Sequence, residues 1–133
     1  MGNINLNAVL RTVGNTSDVD VDGAINLNGT KGLSLSRGTA VAAGTTTATA
    51  AVTSYHHTTL FSVAASNGVR FDAFSAGQFK TIKNFGAQAL TIYPPTGGRI
   101  DSKAADASVS LASGLGALFY ALDNNDIAMI KGS

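Results

Sequence analysis

The 133-residue chain contains no cysteine and no tryptophan, and its eight acidic residues are all aspartate, so glutamate is missing as well. Without cysteine it can build neither a disulfide framework nor a thiolate metal centre, and it carries no mark of redox compartment. Proline occurs twice, as the adjacent pair Pro94 and Pro95. Charged residues make up 13% of the chain, against about a quarter in an average soluble domain. Nine basic side chains offset eight acidic ones and leave a formal charge of +1, and the basic residues are scattered from Arg11 to Lys131. Nucleic-acid binding needs clustered Lys and Arg to neutralise phosphates, so no direct nucleic-acid contact is expected. No apolar run approaches the ~18 residues of a membrane span, and the opening "MGNINLN" has no basic segment leading into an apolar one. Leu6 stands where a myristoylation signal requires Ser or Thr. These absences predict a soluble protein with neither membrane partner nor lipid anchor.

What the chain does have is glycine, fifteen of them, and apolar residues at every second position. Ile4, Leu6 and Ala8 alternate with asparagines, Val19 and Val21 with aspartates, and Leu33 and Leu35 with serines. Alternation of this kind puts one set of side chains on one face of a pleated strand. Heavier segments follow at 59–64, 69–74, 79–85, 89–93, 108–112, 116–122 and 127–130, separated by Gly, Asn and Asp turn signals. In the first of these Leu60 and Ser62 are expected to oppose Phe61 and Val63; in the second Val69, Phe71 and Ala73 oppose Arg70, Asp72 and Phe74. Strand spacing of about 8–12 residues fits sandwiches and barrels. The stretch 39–54, "TAVAAGTTTATAAVTS", is rich in helix-forming Ala, but its clustered threonines lose χ1 freedom in a helix, which favours a strand or an extended linker. All nine aromatic residues lie after position 54. The expected organisation is an N-terminal arm or hairpin over 1–38 and a β-sandwich over 39–133, the two forming one compact unit.

The segment "NFGAQALTIYPPTGGRID" explains why both prolines sit together. A central strand cannot accept Pro, which lacks the ladder N–H, but a strand end can. Pro94 and Pro95 therefore stop the strand ending at Tyr93, and Gly97 and Gly98 can take positive φ to reverse the chain before Arg99. Tyr93, Pro94, Pro95, Gly97 and Gly98 read as a structural corner. A phosphate-binding reading of the glycines lacks the following helix and the lysine spacing.

Other motifs point weakly to chemistry. "DVDVDG" places Asp18, Asp20 and Asp22 at the first three oxygen positions of a calcium loop with Gly23 at the turn, but the twelfth position is Gly29 where a bidentate Glu is needed. Valines facing a core and aspartates facing water explain the pattern better, leaving those aspartates as a calcium candidate only. His56 and His57 are consecutive, so on a strand they point to opposite faces and do not share an ion. No "G-x-S-x-G" elbow occurs, and the aspartates are dispersed, so no catalytic residue, metal or cofactor is assigned. The chain is read as a non-enzyme; a small hydrolase would require Asp and His to converge in a pocket.

Residues 79–130 combine "K-N-x-G", "A-x-x-L-T-I-Y-P", a glycine turn to "I-D", "V-S-L-A-S-G" and a late aromatic strand. In that order they resemble a module of tailed-bacteriophage virion proteins. One departure is the last strand, "NDIAMI", where the family pattern has an aromatic residue, usually Trp. The resemblance implies a β-sandwich found in tail fibres, collar appendages and capsid decoration proteins, often trimeric. Physics and resemblance together predict an all-β, antiparallel, jelly-roll-like sandwich serving as a capsid decoration (cement) protein at the virion surface. Such a protein is made in the host cytoplasm. Its partners are the major capsid protein and itself, as a homo-oligomer with a trimer favoured over a dimer. Ile4, Leu6 and Leu10 are the candidate capsid-binding residues, adding a strand to a neighbouring sheet edge. The alternative is a tail-fibre, tail-tip or collar component that binds a host receptor, which exposed aromatics near "SYHH" or "YPPTGG" would favour.

Overall fold

The computed structural model describes residues 35–132. They lie within one compact unit, Ser34–Ser133, and contain no helix. The protein is all-β over this range. Ten strands form in chain order: β1 (Arg37–Thr39), β2 (Ala51–Thr53), β3 (His57–Leu60), β4 (Gly68–Phe71), β5 (Phe79–Asn84), β6 (Leu90–Tyr93), β7 (Arg99–Ile100), β8 (Val109–Leu111), β9 (Gly116–Ala121) and β10 (Asp126–Lys131). One sheet has six strands in the order β1-β3-β5-β9-β10-β7, the other four in the order β2-β4-β6-β8.

Up to β8 the chain alternates between the sheets, laying one strand in the first and the next in the second. In the six-stranded sheet β1, β3 and β5 are parallel, with Arg37 opposite His57 and His57 opposite Thr81. In the four-stranded sheet β2, β4 and β6 are parallel, with Val52 opposite Arg70 and Arg70 opposite Tyr93. These six strands wind as a solenoid in which each coil stacks on the one before. Antiparallel strands close it: β8 against β6 in one sheet, β9 against β5 and β10 against β9 in the other.

The expectation of an antiparallel jelly roll is therefore corrected. Five of the eight strand pairings are parallel and three antiparallel. The physical reason is that alternation reports which face of a strand is buried and is silent on which strand lies beside it. Most Gly- and Asn-rich breaks are crossings from sheet to sheet; the segment "DNND" alone, among the described residues, joins consecutive strands of one sheet as a hairpin. Among the described residues the first strand, Arg37–Thr39, spans residue 38.

Both inner faces feed one core. Leu60, Ile82, Ile100, Phe119 and Ile127 from the first sheet meet Val69, Phe71, Leu90, Ile92 and Leu111 from the second. Phe71 packs edge-on against Phe119, with ring centroids 4.9 Å apart, and against Phe74 at 5.0 Å. Two facing expectations change where strands end early. β3 stops at Leu60, so Phe61 and Ser62 both turn outward and Val63 inward; β4 stops at Phe71, so Phe74 is buried and Ala73 exposed. Period two holds only while the chain stays in the ladder.

Polar side chains inside the sandwich are each paired. Asn84, fully buried at the end of β5, donates its amide to the Gln88 and Leu111 carbonyls at 2.9 and 3.1 Å and accepts from the Gly86 N–H at 2.9 Å. Gly86 must be glycine, because a Cβ there would stand 2.7 Å from Val63. The "K-N-x-G" motif is thus a loop latch: Asn84 satisfies backbone groups that a crossing would otherwise bury unpaired. Lys80 also points inward, held by the Asp72 carboxylate with its ammonium 4.8 Å from the Phe74 ring centroid. Thr53 and Thr58 pair their hydroxyls between the sheets.

The 39–54 stretch is β1's end, a connecting turn and β2, with no helix. Thr46 and Thr49 bond each other's hydroxyls at 2.9 Å, the Thr49 hydroxyl accepts the Thr45 and Thr46 N–H groups, and Gly44 takes φ +71° where a Cβ would strike the Thr49 carbonyl. Threonine side chains thus satisfy locally the donors a helix would have used.

Candidate functional site

Register places the outward side chains of the six-stranded sheet in rows. Phe79, Tyr120 and Ala128 form one; Arg37, His57, Thr81, Leu118 and Ile130 form the next; Thr39, Thr59, Lys83 and Gly116 form a third. Leu122 continues this face beyond β9, opposite Asp126. Beyond the third row Phe61 and Phe85, each one residue past its strand, stack face to face with centroids 5.6 Å apart and planes at 10°. The Lys83 ammonium lies 4.9 Å from the Phe85 centroid and donates to the Gly114 carbonyl.

Beside the polar Arg37, His57, Thr81 and Lys83, this face carries a bare apolar cluster. Phe61 is 66% exposed, Leu122 61%, Ile130 58% and Phe85 55%, with Phe79 and Tyr120 somewhat less. An outward strand face normally carries polar groups, so a cluster of large apolar side chains there is the candidate site of this molecule. The outer face of the four-stranded sheet differs. Its rows are Val52, Arg70 and Tyr93, and Gly68, Thr91 and Ser110. Tyr93 is buried against Gly68 and donates its hydroxyl to the Thr45 carbonyl at 2.6 Å, so the 45–50 turn covers that end. The Arg70 guanidinium reaches Thr96 at 3.1 Å, while its shielded Nε has no partner.

An open depression of about 400 Å³ lies at the β1 edge of the bare face, lined by Arg37, Gly38, Thr39, Thr59 and Phe61. It holds one cation and no acid, so it offers no general acid–base pair. The two histidines turn to different partners: His56 Nδ1 meets the Ser36 hydroxyl at 2.8 Å and His57 Nδ1 meets the Thr81 hydroxyl at 2.7 Å. The Ser36 hydroxyl also accepts the His56 backbone N–H at 3.2 Å. The pair is a strap between the approach to β1 and the approach to β3, with no carboxylate behind it among the described residues. No group of three His or Asp side chains able to hold a metal is present among the described residues.

Tyr93 ends β6, Pro94 follows buried, and the Gly98 N–H donates to the Pro95 carbonyl at 2.8 Å while Gly97 takes φ +79°. The Gly97 N–H donates to Asp106 at 2.8 Å and the Arg99 N–H to the Asn125 carbonyl at 2.8 Å, which starts β7. These corner residues shape the chain and present no reactive group. The calcium candidates Asp18, Asp20 and Asp22 and the capsid-binding candidates Ile4, Leu6 and Leu10 lie outside the described residues.

Comparison with protein-family models, with curated proteins and with solved structures finds no match to this chain. The bare face was not singled out from sequence. Its signal was there, in Phe79, Leu118, Tyr120, Leu122 and Ile130 falling on the half of each period that should be polar.

Proposed function

We propose that this chain is a structural protein of a tailed-phage virion, a capsid decoration protein that binds the major capsid shell and associates with itself. The observation that carries an assembly role is the bare apolar face of the six-stranded sheet; the phage setting rests on the resemblance of residues 79–130. The mechanism is mechanical. Apolar area laid across neighbouring shell subunits adds contacts that expansion or genome pressure must break, and a nearly neutral protein relies on shape and buried area for this. In this reading residues 1–12, with Ile4, Leu6 and Leu10, reach the shell. Deleting them is expected to abolish shell occupancy while leaving the melting transition of the sandwich in place; unchanged occupancy overturns the role of that segment. Electron microscopy of the native particle tests the whole reading, which fails if the chain sits on the tail.

One observation favours the second reading, a tail-fibre, tail-tip or collar component that binds host glycans. Tyr55, in "SYHH", is 43% exposed and packs over Gly38 on the side of β1 opposite to Arg37 and Thr39. Sugars stack on such rings. Tyr93, in "YPPTGG", is buried and adds nothing to it. Retention on immobilised glycans, lost in Tyr55→Ala, separates this reading from the first.

A further inference from the structure

We propose that Lys80 and Asp72 condense to an amide, an internal cross-link between Nζ and Cγ that ties the two sheets together through the core. The inference names a modification site and does not depend on where in a virion, or elsewhere, the protein works.

Lys80 is the one amine held inside the sandwich among the described residues. Its side chain is 5% exposed, on an inward position of β5 in register with Phe119. Its ammonium touches the Asp72 carboxylate and lies 4.8 and 5.9 Å from the Phe74 and Phe71 ring centroids. Asp72 follows β4 of the other sheet, so the contact closes the crossing from sheet to sheet. Both groups are fixed by backbone. The Asp72 N–H donates to the Thr53 carbonyl at 3.3 Å, and the crossing is pinned to β9 by the Gly77 N–H on the Ala121 carbonyl and the Ala121 N–H on the Gln78 carbonyl, at 3.0 and 2.9 Å. The fold thus holds a nitrogen against a carboxyl carbon, the condition under which intramolecular reactions reach effective concentrations of roughly 10⁵–10⁸ M.

The enclosure also favours the product. A buried ion pair gains little over apolar packing, because both charges must leave water; the amide carries no charge. The step balances without a co-reactant. One proton passes from the ammonium to a carboxylate oxygen, and the freed Nζ lone pair attacks Cγ, a desolvated amine being the better nucleophile. A second proton leaves the nitrogen for the same oxygen, the C–O bond breaks and water departs, leaving the new C–N bond. The Asp72 side chain is 38% exposed, so solvent on that side can relay the second proton and take up the water, while the phenylalanine rings shield the nitrogen. The other ion pair among the described residues, Arg99 with Asp126, is open to water on both sides and offers a guanidinium in place of an amine.

Mass spectrometry of the full-length chain, folded, incubated at neutral pH and then denatured, tests this. The wild type is expected to be lighter by one water than its sequence dictates, in a fraction that grows with incubation. Trypsin is expected to leave residues 71–83 as one peptide, uncut at Lys80 and lighter by the same water. Lys80→Arg and Asp72→Ala are expected to keep the full mass, and so is wild type held in denaturant throughout, because the reaction belongs to the fold. Wild type at full mass after prolonged incubation overturns the proposal and leaves an ordinary ion pair. A loss of water that maps elsewhere, as to Asp22 and Gly23, or that persists in Lys80→Arg or in denaturant, overturns it as well.

Discussion

The two sheets obey the same rule inside and different rules outside. Inward, each alternates apolar side chains into a shared core. Outward, the four-stranded sheet shows Val52, Arg70, Thr91 and Ser110 and folds a turn over Tyr93, while the six-stranded sheet shows Phe79, Leu118, Tyr120, Leu122 and Ile130 beside the polar Arg37, His57, Thr81 and Lys83. Folding needs only the inner faces to be dry. Apolar side chains bared on a second face add little to the stability of the separate chain and expose it to aggregation. The proposed assembly role rests on this contrast.

Substitutions on the two sides of one strand break the comparison most directly. Phe119→Ala, inward on β9, removes a fully buried ring and is expected to cost about 3–5 kcal/mol in urea unfolding. Asn84→Ala strands backbone groups at the β5–β6 crossing, with an expected loss of roughly 2–3 kcal/mol and faster exchange of the Gly86 amide. Asp72→Ala leaves the Lys80 ammonium buried without its carboxylate; because Asp72 is itself partly solvated the expected loss is nearer ~2 kcal/mol, and adding Lys80→Met should restore much of it. Tyr120→Ser, outward on the same strand as Phe119, should change the unfolding free energy by no more than ~0.5 kcal/mol. A loss as large as that of Phe119→Ala would mean that the outer face belongs to the fold.

The smallest effect concerns the β9–β10 hairpin. The backbone N–H groups of Asp126 and Asn125, both 2.7 Å from the Asp123 carboxylate, hold this exposed carboxyl below the usual 3.8. A lowered pKa in the folded state means that the turn's contribution is complete above that value and is lost as pH falls below it. NMR titration of the Asp123 side chain should show a midpoint under 3.8, and a midpoint at or above it would remove this turn lock.

Much of the fold was legible because burial has a period. The strands at 79–84, 90–93, 109–111 and 116–121 fall within the segments read from alternation, and Tyr93 ends its strand where Pro94 forbids another ladder donor. Pairing was not legible. The Thr-rich turn at 45–50 and the Asn84 latch both serve crossings between sheets, and a crossing looks like a hairpin turn until the partner strand is known. The expected facing fails at Ser62 and Val63 and at Ala73 and Phe74 because these residues lie past the ends of β3 and β4, where the ladder no longer sets the period. The bare face was missed for a related reason: an apolar residue in either half of a period looks like core unless the opposite half is already assigned.

One consequence of the winding reaches beyond a single molecule. Leu60 and Asn84 occupy equivalent places on successive coils, and so do Phe61 and Phe85, whose rings touch. A segment copied from one such place to the next would insert a whole storey, prolonging both walls and extending the column of rings without rebuilding the roof made by β9 and β10. Height in this architecture is therefore an inheritable quantity, adjustable by duplication while each sheet keeps its pattern of inward and outward faces.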